Sequence, residues 1–206
     1  MSIVIGVCGR DFCTLFSDNW NVLSDDSGRT VHTASAKKVF RINDQLILGT
    51  TGVFDTDEDI CGPVRILENS ESLRLTDAGA ALIQFMDQDH VRLQACEHRN
   101  YLLGGINLHG QLCMWHLHFN AKLGYTEIST CQPDSSHRYA TLLSLPFSRP
   151  DQQQYWINRV HYATLNCSTQ DELVSPVTRI IQDLHAANPA TGDQIQYQTI
   201  LRTGSS

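Results

Sequence analysis

The first fifty residues alternate short apolar runs with polar punctuation. Ser2 to Cys8 (SIVIGVC) and Phe12 to Asp18 (FCTLFSD) are β-prone stretches on either side of Gly9-Arg10-Asp11, a turn-type cluster, so the pattern predicts a hairpin. Val39 to Ile42 and Gln45 to Thr51 flank Asn43-Asp44 and predict a second one. It is entered through the polar segment Ser24 to Lys38 and left through Gly52. The period then changes. Ala78, Ala81, Leu82, Phe85 and Met86 fall at helical spacing behind Thr76-Asp77, which carries an N-cap signal. Phe54, Ile60, Val64 and Leu67 are roughly helical in spacing too, although Gly62-Pro63 interrupts them.

Strand character returns at Tyr101 to Asn107, Leu112 to Phe119 and Tyr125 to Cys131, with Gly104-Gly105, His109-Gly110 and Lys122-Leu123-Gly124 as breaks, which predicts a second sheet. Ser135-Ser136 reads as the cap of a short helix through Tyr139, Ala140, Leu142 and Leu143, stopped by Pro146. Thr169 and Glu172 form a capping box ahead of Leu173, Val177, Ile180, Ile181 and Leu184, the stripe of a longer helix with Pro176 as a point of kink or restart. Gln194 to Leu201 closes the chain as a strand. Strands and helices are segregated along the chain, so a single α+β domain over 1–206 is expected.

Composition narrows the function classes. At 206 residues the chain suits one domain that buries roughly 70% of its unfolded surface. A formal net charge of −7 without any basic run offers no footprint for nucleic acid or an anionic membrane. The 7 cysteines, odd in number and never in a CxxC, read as reduced core residues of a cytoplasmic protein. The apolar run Ile3 to Val7 is too short for a signal sequence, and no stretch approaches the ~20 apolar residues of a membrane span. His116 and His118 share one face of a strand but lack a third convergent ligand, so no metal and no cofactor are expected.

The candidate chemistry lies at strand ends. Initiator Met is commonly trimmed before a residue as small as Ser, so Ser2 is expected to present a free amine and a hydroxyl on one residue. A Ser hydroxyl needs a base to take its proton, and an N-terminal residue carries one in its own α-amine. With an ordinary pKa of about 7.8 that amine is only some 15% neutral at pH 7, and a neighbouring cation lowers its pKa. Lys38, opening the third strand, is placed to supply that field. Asp18, ending the second, is placed to hold the lysine, and the backbone N–H of Gly52 to stabilise an oxyanion.

At these residues the sequence resembles the proteasome-type N-terminal-nucleophile hydrolases, which include proteasome β subunits and the HslV peptidase. Counted from Ser2, Gly6, Asp11 and Asp18 fall on that family's strand glycine, turn aspartate and catalytic aspartate, and KKVFRINDQLILGTTG reads like its lysine hairpin, with Lys38 and Gly52 at the customary separation. DSSHRYA looks like the family's Gly-Ser-Gly entry to a helix and NPATGDQIQYQTI like its closing strand, with Asn188 and Thr191 standing where the family has Asp and Ser. The resemblance implies a four-layer αββα sandwich and an amide-bond hydrolase with Ser2 as nucleophile. It further implies a supporting set of Asp18, Lys38, Gly52, Ser135, Asn188 and Thr191, with Ala36, Phe40 and Thr50 in a modest apolar substrate pocket. The implied substrate is a peptide or small amide, the implied assembly a homo-oligomeric ring, and the sequence is silent on an ATPase partner. The rival expectation is a non-catalytic proteasome-like assembly subunit, in which Met1 is retained.

Overall fold

The computed structural model describes residues 3–24, 30–34, 36–52, 57–68, 73–88, 99–120, 122–135, 138–144, 150–188 and 191–202. It contains two antiparallel sheets. The first is ordered β10-β1-β2-β11, from Ala140–Ser144, Val4–Cys8, Phe12–Asp18 and Ile195–Leu201. The second runs β5-β6-β7-β8-β9, from Val39–Asn43, Leu46–Gly52, Arg99–Ile106, Leu112–Asn120 and Tyr125–Cys131. Both predicted N-terminal hairpins are present, with Cys8 opposite Cys13 and Val39 opposite Gly49.

The burial pattern explains the layering. β1 and β2 are buried along their whole length, because one face of each meets helices and the other meets the second sheet. Ile3, Ile5, Val7 and Phe16 pack with Leu173, Val177, Ile181 and Leu184, the stripe of helix α4 (Gln170–Ala187). Val4, Leu15, Val39, Ile47, Leu102 and Met114 fill the space between the sheets. A Cβ at Gly6 would lie 2.6 Å from the Met114 sulfur, so a side chain there would have to displace the Met114, Leu102 and Leu15 side chains that fill the space between the sheets. Helices α1 (Asp57–Glu68) and α2 (Leu75–Gln88) cover the outer face of the second sheet, where Val64, Leu67, Leu75, Ala78, Leu82 and Met86 meet Leu46, Leu48, Tyr101 and Leu117. The molecule is thus a mixed α+β sandwich with helices outside both sheets.

Three features differ from the sequence expectation. Ala140–Ser144 is strand β10, paired with β1, and not the start of a helix. Leu143 and Tyr139 face α4 while Ala140 and Leu142, partly buried, pack between the sheets, and a run with apolar contacts on both faces has no period that separates strand from helix. Helix α3 (Pro150–Thr164) was not anticipated, because its buried stripe is only Trp156, Val160 and Thr164 in an otherwise polar segment. Trp20–Ser24 and Thr30–Ala34 form a separate hairpin, β3 and β4, inside the segment read as polar connection. Helix α1 runs through Pro63, where the buried Val64 and Leu67 offset the lost hydrogen bond, and α4 runs through Pro176 behind its Thr169–Glu172 capping box. No helix among the described residues is long and apolar enough to cross a membrane.

Candidate active site

One end of the sandwich gathers charge that the rest of the core excludes. Asp18, the last residue of β2, is fully buried, and its carboxylate is surrounded by donors. Oδ1 accepts from Lys38 Nζ at 2.8 Å and from the Ile3 backbone N–H at 2.8 Å. Oδ2 accepts from the Gly192 N–H at 2.8 Å and more weakly from the Trp20 N–H at 3.4 Å. Lys38 is 1% exposed, so both charges of this pair have left water. Burial lowers the lysine pKa below its ordinary 10.5, and attraction to Asp18 together with their hydrogen bond opposes that shift. The result is a buried cation that gives up its proton more readily than an exposed lysine does.

Ser2 itself lies outside the described residues, but Ile3 is the next residue and its nitrogen is bonded to the Ser2 carbonyl carbon. Lys38 Nζ and the Ile3 nitrogen share a single acceptor atom, so they lie no farther apart than those two hydrogen bonds together. The start of β1 is thereby tied to the Asp18–Lys38 pair.

Gly52 ends β6 at this same end of the sandwich, with φ of 139°, a backbone state that side-chain-bearing residues rarely adopt. Its neighbour Thr51 shares a hydrogen bond with Ser144 on β10, and Ser144 sits opposite Val4. Asn188 and Thr191 reach the site indirectly. Asn188 caps the C-terminus of α4, and its carbonyl accepts from the Thr191 N–H at 3.1 Å and the Thr191 hydroxyl at 2.8 Å. The turn so closed presents the Gly192 N–H to Asp18, so these two residues position the aspartate through the backbone.

Ser135 does not join this group. It lines a cavity with Arg10, Asp11 and Phe12 of the β1–β2 turn, at the opposite end of the sheet. The displacement follows from the misread element: Ser135 precedes a strand that runs the length of β1, so the serine delivered beside Val4 is Ser144. Sequence reasoning missed Ser144, Asn19 and Gly192. A Ser-Leu-Pro after an apolar run was the available signal for Ser144.

The expected pocket residues share one face. Ala36, Lys38 and Phe40 alternate, and the Thr50 N–H donates to the Lys38 carbonyl at 2.9 Å. Thr50 is fully buried, and among the described residues its hydroxyl has no hydrogen-bond partner. Ala36 gives its N–H to the Asn19 carbonyl at 2.8 Å, which fixes the approach to Lys38. Phe40 belongs to the core under α1 and α2, with Lys37 Nζ 5.1 Å above its ring. Arg99, buried and opposite Gly52, brings a second cation to this end of β7.

On the inter-sheet face next to Thr51, Asn100 Oδ1 accepts from His118 at 2.7 Å and from His116 at 3.2 Å. Burial, aided by His118, pushes the His116 pKa down to about 4, so this ring is neutral at pH 7. Among the described residues no group of three or more metal-ligating side chains converges. Cys8 lies at the far end of β1, fully buried, with its thiol kept protonated by a hydrogen bond with Cys13 and by burial. No family model matches the chain, and no curated protein sequence matches it.

Proposed function

We propose that the protein is an amide-bond hydrolase of the proteasome-type N-terminal-nucleophile class, acting on peptides or small amides through Ser2 after loss of Met1. The reading rests on one observation: a fully buried Asp18–Lys38 pair whose carboxylate oxygen also holds the N–H of Ile3, one bond from Ser2. Buried ion pairs contribute little net stability compared with apolar replacements, so a pair that also holds the Ile3 N–H beside Ser2 invites a chemical explanation.

In this mechanism the Ser2 hydroxyl oxygen attacks the substrate carbonyl carbon while its proton passes to the Ser2 α-amine. The Lys38 charge keeps that amine neutral before attack, and Asp18 holds the lysine in place. The Gly52 N–H stabilises the oxyanion of the tetrahedral intermediate. The α-ammonium then gives its proton to the leaving nitrogen, the C–N bond breaks, and an ester remains on Ser2. Water, deprotonated by the same amine, cleaves the ester and releases the acid. Of the expected pocket residues, Ala36 and Thr50 stand next to Lys38 while Phe40 packs in the core, and Thr51 with Ser144 takes the supporting place expected of Ser135. Homo-oligomeric assembly is part of the proposal, since single subunits leave Tyr155, Tyr162 and Leu165 of the α3 region exposed.

Turnover of fluorogenic peptides by Ser2→Thr and Ser2→Ala variants tests the reading. Thr keeps hydroxyl, amine and free terminus, so activity should persist, whereas Ala should abolish it with little change in thermal stability. Equal turnover by Ser2→Ala and the wild type would leave the assembly-subunit reading in its place.

A further inference from the structure

His185 stands beside the groups that hold Asp18 and takes no part in the mechanism above. It lies in the last turn of α4, partly buried, just ahead of the Asn188 cap. Its Nδ1 is hydrogen-bonded to the Thr191 carbonyl oxygen. A carbonyl only accepts, so Nδ1 carries the proton and donates. The ring also meets Trp20 edge-on, with centroids 6.0 Å apart and planes at 73°. Gly192 packs against the same indole, since a Cβ built on it would lie 3.0 Å from the Trp20 ring.

The Thr191 carbonyl and the Gly192 N–H belong to one peptide unit. That unit is trans and planar, so the two groups point in opposite directions. Its carbonyl takes the imidazole N–H, and its own N–H donates to Asp18 Oδ2 at 2.8 Å. A hydrogen-bonded chain therefore runs from His185 through one amide to the carboxylate that holds Lys38. Donation into a carbonyl draws electron density from its amide nitrogen and strengthens the N–H as a donor, by roughly 10–30% per bond. Thr191 is 1% exposed and Gly192 is buried, so little water competes at this amide. The Asn188 carbonyl restrains Thr191 from its other side, through the Thr191 N–H and hydroxyl, but neither contact belongs to the 191–192 peptide plane. His185 is the contact that sets the rotation of that plane.

We propose that His185 is a positioning residue for Asp18, acting through the Thr191–Gly192 peptide to fix the hydrogen bond on Oδ2 and with it the aim of Oδ1 at Lys38. Oδ2 stays occupied by the Gly192 and Trp20 N–H groups, which leaves Oδ1 to Lys38 and the Ile3 N–H. The consequence for catalysis rests on the hydrolase reading above, in which Asp18 holds the lysine that keeps the Ser2 amine neutral. His185 loses no proton in this role.

Two variants separate the donor from the ring. His185→Phe keeps a flat ring against Trp20 and removes the N–H, and His185→Gln returns a side-chain N–H from the same helix position. Each is checked for fold by thermal melting and read in two ways: hydrogen-exchange protection of the Gly192 amide by NMR, which needs no activity, and the rate of β-lactone acylation at Ser2 in Met-trimmed protein. His185→Phe is expected to lower Gly192 protection about fivefold or more and to slow acylation by a similar factor, as for one lost neutral hydrogen bond, with His185→Gln recovering most of both. A ring that served only as packing would leave His185→Phe like the wild type and make His185→Gln the weaker variant, which would overturn the proposal. In the wild type, nitrogen NMR shifts of the imidazole should show Nδ1 protonated; a bare Nδ1 would overturn it without any variant. Lowered Gly192 protection with unchanged acylation would overturn the role in catalysis. A wild type never acylated at Ser2 would sink the hydrolase reading, and the Gly192 amide would still decide whether His185 acts on Asp18.

Discussion

Removing the two partners of the Asp18–Lys38 pair one at a time should have unequal effects, because their surroundings differ. Asp18→Ala leaves the Lys38 ammonium, 1% exposed, without its counter-charge, and strips the acceptor from the Ile3 and Gly192 N–H groups. Breaking a buried pair in this way costs about 3–5 kcal/mol, and each orphaned N–H adds about 1 kcal/mol or more. Lys38→Met keeps the apolar stem and leaves a carboxylate still holding those two backbone donors, so it should cost about 1–3 kcal/mol. In the double variant the stranded cation is gone, and its loss should fall about 2 kcal/mol or more short of the sum. Urea unfolding followed by far-ultraviolet circular dichroism at pH 7 reads all three values. The Lys38 pKa is lowered in the folded state, so between that value and 10.5 the unfolded chain holds a proton the folded chain has released. Wild-type stability should therefore rise with pH across that window relative to Lys38→Met. The reasoning is refuted if Asp18→Ala proves no more destabilising than Lys38→Met, or if the two effects add.

Other outcomes follow from single contacts. A Cβ at Gly192 would lie 2.5 Å from Asn19 Oδ1 and 3.0 Å from the Trp20 ring, so Gly192→Ala should push the turn off Asp18, costing about 1–3 kcal/mol in urea unfolding and lowering peptide turnover more than the expected loss of fold explains. His116 must stay neutral in the fold, with a pKa of about 4 against an ordinary 6.5, so stability is lost as pH falls from 6.5 toward 4. His116→Gln should flatten that limb of a thermal-melting pH profile by about 2 kcal/mol, the partial exposure of the ring trimming the full linkage value.

Legibility in the sequence followed the strength of local signals. The two N-terminal hairpins, the stripe of α2, the capping box of α4 and the central strands all have a clear period or turn residue, and each is present. β10 has neither, since it makes apolar contacts on both faces, and its misreading carried Ser135 into the predicted site and left Ser144 out. The narrow stripe of α3 was hidden for the opposite reason, too few apolar positions to mark a period. Within the site, Asp18 and Lys38 were legible as charged residues at strand ends, and the structure brings them to 2.8 Å. That Asn188 and Thr191 act through the Gly192 N–H could not be read from their side chains, because the contact belongs to the backbone.

The most direct test of the account is where a hydroxyl-directed electrophile lands. Protein from its native host, with Met1 loss checked by intact mass, is treated with a β-lactone, digested and mapped by mass spectrometry. The account predicts a single acyl adduct on the N-terminal peptide at Ser2, absent from Ser2→Ala, and slowed by Lys38→Met as the amine loses the charge that keeps it neutral. A labelled Cys8 or Cys13, a label that persists in Ser2→Ala, or a retained Met1 with no adduct at Ser2 would contradict it.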